Sequence, residues 1–328
     1  MTSTKVSEMT GQGFVHGVYS LVNPQVGTTR NGDPFLKCLF RDSTGEAIGR
    51  QWRFDPSSMQ EITATGFVRI EGEQEMYQDK LQIKVREIWA HTPSSEELVE
   101  LLPSTRKDID EMFSELTALI QSLEHPAAQA LASAYLDDKK MMKDFKVAPA
   151  AMTIHHAWIG GLLEHTLQLM KLADGMLPNY PRLSRDIILI GLFIHDLGKV
   201  EELRWDRGFE YTREGNLIGH IARGAMWLEE KAKVAEENLG EPLPDGFITV
   251  MQHIVLSHHG QLEHGAAKLP STPEAIFVSQ LDNLDAHTQT ALDSARPWVK
   301  TAVGDEAFTE RLWSLNTKLY RRDPLKSS

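Results

Sequence analysis

The chain has 328 residues, of which 41% are apolar and 24% charged, and a formal net charge of −12. That balance belongs to a folded globular protein and excludes a disordered or fibrous one, and the length suffices for two ordinary domains. The longest apolar run, Ile187 to Ile194, falls far short of the roughly 20 residues a bilayer crossing needs. Met1 to Lys5 opens no apolar signal core, so a secretory leader is not expected. The single cysteine, Cys38, excludes an internal disulfide and a multi-thiolate zinc site, and fits a reducing cytoplasm.

Charge and histidine are unevenly spread. Residues 1–92 hold 10 Lys+Arg against 11 Asp+Glu, whereas the remainder holds 24 against 35. Ten of the 13 histidines lie between His155 and His287. Acid and imidazole concentrated in one region are what a cation site needs, although a solvated acidic surface has the same composition.

In chain order, strand patterns come first: Phe14–Tyr19, Phe35–Phe40, Phe67–Ile70 and Leu81–Val85. Turn residues separate them at Arg30–Pro34, Asp42–Gly45 and Gln78–Asp79. About five strands, with a short polar stretch from Asp55 to Glu61 before a closing hairpin, suit an OB-fold-like β-barrel, with an SH3-like barrel as the alternative. Thr92–Ser95 and Leu102–Thr105 read as a linker. Helical spacing follows over Asp108–Leu123, Ala127–Leu136, Ile154–Asp174, Arg185–Leu197, His220–Asn238, Phe247–Ser257, Pro273–Ser294 and Glu306–Leu319. The expected organisation is a barrel over 1–92, a linker over 93–105 and an all-α bundle over 106–328.

The bundle carries a series of ligand-type side chains. His165 lies inside one helix, His195 and Asp196 close the next, and His220 opens another. His258 and His259 end a fourth helix, and Asp282 sits inside the last long one. A single histidine on an apolar helix is more often a core residue than a ligand, but imidazoles and carboxylates in series form the mixed set that suits Mn, Fe, Co or Zn. Asp196 is the most informative position. The apolar run before it buries its helix, and a buried carboxylate costs several kcal/mol unless a cation compensates it. A metal is one candidate partner and Lys199 the other.

Order and context resemble the HD-domain phosphohydrolases, through His165, the His195-Asp196 doublet and Asp282. The strings Gly160–Thr166, His195–Val200, Leu256–Gly260 and Leu281–Ala286 look like those of the YhaM-type 3′→5′ exoribonucleases, which place an OB-fold before an HD domain. The resemblance spans about Gly13 to Ser294. It implies a metal-dependent exonuclease releasing nucleoside 5′-monophosphates from the 3′ ends of single-stranded RNA, with single-stranded DNA a second candidate. Two divalent cations are implied, manganese first, with Fe, Co, Ni, Zn or Mg as alternatives. His165, His195 and Asp282 would hold one, His220, His258 and His259 the other, and Asp196 would bridge them around an activated water. Lys199 would serve as an electrostatic clamp on phosphate, or else only pair with Asp196.

In the barrel, Arg30, Lys37, Arg50 and Arg53 stand among aromatics including Trp52, the composition of a single-strand platform. His155, His156, His253, His264 and His287 are expected outside the metal set, with substrate contact an alternative to plain surface for His155 and His156; Asp285, three residues after Asp282, is expected on the surface, with support of the site from behind a ligand as the alternative. Two further functions compete. One is an HD-domain hydrolase of a small nucleotide such as a dNTP, a cyclic dinucleotide or a dinucleoside polyphosphate. The other is a non-catalytic nucleic-acid-binding protein. No membrane association is expected, and self-association is left open.

Overall fold

A computed structural model describes residues 3–29, 31–77, 80–151, 158–205, 210–296 and 307–325. The chain divides into two compact units, one built on residues in 1–104 and 292–328, the other on 105–205 and 209–291.

The first unit is a closed five-stranded barrel of β1 (Phe14–Thr28), β2 (Pro34–Asp42), β3 (Gly45–Trp52), β4 (Phe67–Tyr77) and β5 (Lys80–Ala90). Helix α1 (Met59–Thr63) lies between β3 and β4. The strand order is β1-β2-β3-β5-β4, with β1 pairing β4 to close the ring and β3 running parallel to β5. That Greek-key order is an OB-fold and decides against an SH3-like barrel. Alternation explains the two faces: Leu36, Cys38 and Phe40 point into the core, while Phe35 and Lys37 point out. Pro24 is accommodated in β1 at a register shift between Val22 and Gln25, where Asn23 takes a left-handed φ of 48°.

Within 93–105, Ser95–Leu101 forms α2, started by a reciprocal cap between Ser94 and Glu97. The second unit holds α3 (Ile109–Gln121), α4 (Pro126–Leu136), α5 (Lys139–Val147), α6 (Gly161–Met176), α7 (Arg185–Ile194) and α8 (Lys199–Glu202). A small hairpin of β6 (Leu203–Arg204) and β7 (Glu210–Tyr211) leads to α9 (Arg213–Leu217), α10 (Gly219–Leu239) and α11 (Phe247–Ser257). Helix α12 (Pro273–Ala295) follows. Side-chain caps start several helices: Asp108 accepts from Glu111, Asp138 from Met141 and Ser184 from Ile187. Helix α7 is buried on every side from Ile188 to Ile194 and packs against α4, α6 and α11. Among the described residues, no helix is long and apolar enough to cross a membrane.

Two sequence expectations change. Helix α6 starts at Gly161, because Gly160 takes a left-handed φ of 79° that breaks any earlier helix; residues 152–157 lie outside the described set. The expected helix over Glu306–Leu319 is absent among the described residues. Bridges Phe308–Tyr320 and Leu312–Thr317 pair that segment back on itself, around Asn316 with its left-handed φ of 53°.

Phe193 anchors the bundle, meeting Tyr135 edge-on at 6.2 Å and Phe145 at 6.0 Å. Phe193→Ala removes this fully enclosed ring, so urea unfolding of the helical unit, followed by far-UV circular dichroism, should show a loss of about 3–5 kcal/mol.

Candidate metal centre

Five helices deliver the polar side chains found in the helical core. Helix α7 ends at Ile194, so His195 and Asp196 leave the helix where its geometry relaxes and both can face one point. Helix α11 ends the same way at His258 and His259, and Gly260 with φ of 76° turns the chain away. His220 stands in the first turn of α10, after Gly219 with φ of 76°. His165 projects from α6 and Asp282 from α12. Gly198 permits this convergence, since a Cβ there would stand 2.2 Å from the His220 carbonyl oxygen.

Asp196 is the centre of the cluster and is only 3% exposed. Its Oδ2 lies 3.4 Å from His195 Nε2 and 3.8 Å from His165 Nε2. Its Oδ1 lies 3.4 Å from His220 Nε2 and 3.5 Å from His258 Nε2. Asp282 Oδ1 approaches His165 Nε2 at 3.1 Å and His195 Nε2 at 3.9 Å. His259 stacks edge-on with His258 at 4.3 Å and tilts toward His220 at 5.3 Å. Two overlapping ligand groups result, each with its donor atoms within 4.8 Å of one another: His165, His195 and Asp196, and Asp196, His220, His258 and His259.

Hydrogen bonding behind the rings fixes their tautomers. Nδ1 of His195 meets the Leu192 carbonyl at 2.7 Å, that of His258 meets Val255 at 2.7 Å, and that of His259 meets His264 at 2.9 Å. Nδ1 of His165 meets Asp285 Oδ2 at 2.8 Å and that of His220 meets Glu202 Oε1 at 3.0 Å. Carbonyls and carboxylates only accept, so every Nδ1 carries a proton; the Nε2 atoms of His195, His220, His258 and His259 turn inward as acceptors, whereas that of His165 shares a proton with Asp282 Oδ1. His195 Nε2, His220 Nε2, His258 Nε2 and Asp196 Oδ1 are buried without a hydrogen-bond partner among the described residues. Stranded buried acceptors are costly, and nitrogen and oxygen acceptors arranged this way suit divalent first-row cations.

Electrostatics agree with the geometry. Burial disfavours a charge on Asp196, yet Lys199 and His195 hold its carboxyl well below the ordinary range. Lys199 Nζ lies 2.7 Å from Asp196 Oδ2, and that carboxylate keeps Lys199 protonated against its own burial. Lys199 thus compensates one oxygen of Asp196 and leaves the other to the histidines. Burial opposes a charge on His165, but its bonds to Asp282 and Asp285 outweigh that and raise its pKa to about 9. Burial, reinforced by His258, lowers His259 to about 3, so its lone pair stays available near neutrality.

All seven residues expected from the sequence to hold cations therefore meet in one buried cluster, with Lys199 beside them. Asp285, expected on the surface, is only 2% exposed, because α12 turns it behind His165. Its position three residues after Asp282, on the same helix face, was the available signal. Glu202 is an addition for which the sequence offered no signal. His253 accepts from the Ser271 amide at 2.8 Å, and His287 is exposed. His155 and His156 lie outside the described residues.

In the barrel, Phe35 and Lys37 on β2 pair with Trp52 and Arg50 on β3 and share one outer face. The Arg50 guanidinium lies within 6 Å of the rings of Phe35, Trp52 and Tyr77. Arg53 is exposed just beyond β3, with φ of 56°. Arg30 lies outside the described residues. Phe40 and Phe54 turn into the core, leaving Phe35 and Trp52 for the surface.

A helical unit with an imidazole–carboxylate centre at its helix ends, following an OB-fold barrel, is the architecture of an HD-domain protein of this kind, and residues 162–287 match the family model described as HD domain. The 3′-5′ exoribonuclease YhaM of Geobacillus sp. (strain WCH70) is 34% identical over 313 residues, 95% of this chain and 92% of that protein. That of Listeria innocua is 34% identical over 90% of each chain, and that of Bacillus pumilus 33% over 90% of each. The chain belongs to the YhaM 3′-5′ exoribonuclease family. The second OB-fold domain of replication protein A from Methanococcus maripaludis is 19% identical, covering 28% of this chain and 96% of that one with a TM-score of 0.19.

A cation on His165 must displace the proton that Asp282 and Asp285 retain there up to about pH 9. Cation affinity should therefore rise as pH rises, by up to about tenfold per unit, and level off above about 9. Calorimetric titrations with Mn²⁺ in buffers of different ionisation enthalpy should show about one proton released per chain at pH 7; affinity that falls or stays flat between pH 7 and 9 would contradict this assignment.

Proposed function

We propose that this protein is a divalent-cation-dependent 3′→5′ exoribonuclease acting on single-stranded RNA, with two cations sharing Asp196. The observation that carries the reading is the buried, unpartnered Asp196 Oδ1 facing inward-turned imidazoles, in a chain whose relatives named as 3′-5′ exoribonucleases match it over at least 90% of its length. On this reading His165, His195 and Asp282 would hold one cation, and His220, His258 and His259 the other. Manganese is the first candidate on the family resemblance, and a donor set of nitrogen and oxygen without thiolate is open to it as to Fe, Co, Ni and Zn. When bound, such cations acidify a water and neutralise phosphate charge.

The chain's own groups do the rest. The Nδ1 hydrogen bonds hold all five imidazoles with Nε2 toward the centre, so no ring has to reorient. Lys199, held against Asp196 with its side chain 13% exposed, sits at the rim and places a positive charge where a phosphodiester would approach. Residues 1–92 form the strand-gripping module, in which Phe35, Trp52 and Tyr77 stack bases while Lys37, Arg50 and Arg53 follow the backbone. The helical unit carries the chemistry. A net charge of −12 would repel RNA, and two divalent cations reverse the sign locally. With its one thiol buried in the barrel core, the protein suits a reducing cytoplasm.

The test is degradation of single-stranded RNA carrying a 3′ or a 5′ label, under Mn²⁺, Mg²⁺ and Zn²⁺. Loss of the 3′ label first, with release of nucleoside 5′-monophosphates, is expected, and Asp196→Ala and His195→Ala should abolish it. RNA left intact by folded, Mn²⁺-loaded protein, alongside turnover of a small nucleotide, would refute the reading.

Removing a stacking ring should act on binding. Trp52→Ala and Tyr77→Ala should each weaken single-stranded RNA by about 1–3 kcal/mol in fluorescence anisotropy, raising KM far more than they lower kcat. Unchanged affinity in both variants would move the binding face elsewhere.

A further inference from the structure

The five histidines of the centre are supported from behind in two ways. His195, His258 and His259 rest on main-chain carbonyls, whereas His165 rests on the Asp285 carboxylate and His220 on that of Glu202. These two histidines fall in different ligand groups, His165 beside His195 and Asp196, His220 beside Asp196, His258 and His259. Each group therefore contains one carboxylate-backed imidazole.

From this arrangement we infer that Asp285 and Glu202 are positioning residues, one for each cation, that set the two affinities separately. The inference rests on the two-cation reading above. A carboxylate behind Nδ1 makes the opposite Nε2 a stronger donor than a carbonyl does, and fixes the plane of the ring. Both carboxylates are themselves held. Asp285 is 2% exposed, and its second oxygen accepts from Gln168 Nε2 at 2.7 Å, one helical turn beyond His165. Glu202 also accepts the His220 main-chain amide at 3.1 Å, at the start of α10.

The two supports differ in their setting. Asp285 and His165 both lie within long helices. Glu202 ends the four-residue α8, and its carbonyl accepts from Thr212 at 2.9 Å across the base of the β6–β7 hairpin. The His220 site is thus tied to a short local segment, and the His165 site to the bundle itself.

The experiment compares the full chain with Asp285→Asn, Glu202→Gln and the double variant, each stripped of metal and titrated with Mn²⁺ alone. Cation number and affinity come from calorimetry, and electron paramagnetic resonance reports whether bound Mn²⁺ ions are coupled or isolated. The unaltered protein should bind two cations. Each single variant should bind one with unchanged affinity and the other about 10–100-fold more weakly, with an isolated-ion signal replacing the coupled one. The double variant should weaken both. Two cations held with unchanged affinity in both single variants would overturn the inference while leaving the two-cation reading intact; so would a double variant no worse than a single one. A carboxylate with a merely structural role would lower the melting temperature of the metal-free protein and leave cation affinity unchanged, which also overturns it. Fewer than two cations in the unaltered protein would refute the two-cation reading, and the inference with it. Should Asp285→Asn fail to fold, Glu202→Gln decides for its own site by the same readout.

Discussion

A carboxylate buried among histidines is the constraint around which the helical unit is organised. Asp196 follows an apolar helix directly into the core, where an isolated negative charge is unfavourable by several kcal/mol even after relaxation. Lys199 compensates one of its oxygens. The other has only imidazole nitrogens near it, each already committed to giving its proton away from the centre. An ordinary ion pair therefore accounts for half of this carboxylate, and the other half is open to a cation. The same deficit makes the position a natural place for phosphate chemistry.

The surrounding fold serves that deficit. Helices α7 and α11 both end at the cluster, and His195 and His258 each turn back to a carbonyl three residues earlier in the same helix. Carbonyls at a helix end lack intrahelical partners, so each of these hydrogen bonds satisfies an acceptor and orients a ligand at once. The negative ends of two helix dipoles also face the centre, which favours bound cations. Helix α10 arrives by its positive end, and there Glu202 receives both the His220 amide and the His220 ring. Gly198 and Gly219 supply the close approach and the left-handed turn that bring these ends together.

Much of this was legible in the sequence because ligand residues at helix ends leave a local signature. The His195-Asp196 doublet after an apolar run, His220 after Gly219 and the His258-His259 pair before Gly260 all announce their positions through neighbouring glycines. The barrel was legible through alternation in β2, β4 and β5, although β3 was hidden by its glycines and charged residues. What escaped depends on contacts between distant segments. Asp285 is a surface residue or a support for His165 according to how α12 faces α6, across 120 residues of chain. Glu202 matters only because α8 folds against the start of α10. Tyr77 joins Arg50 because β5 pairs with both β3 and β4 and so brings the end of β4 near β3. The segment after Glu306 has apolar spacing that suggests a helix, but a left-handed Asn316 and antiparallel bridges prevail.

An acidic helical unit and a near-neutral barrel share one enzyme, and cations held at Asp196 would supply the positive charge that the helical surface lacks. Whether Asp196 lies between two cations can be read from anomalous X-ray scattering by crystals grown with Mn²⁺. Two manganese peaks are expected on opposite sides of the Asp196 carboxylate, one against His165, His195 and Asp282 and the other against His220, His258 and His259. No manganese at Asp196, or a single peak leaving either histidine group without an ion, would contradict it.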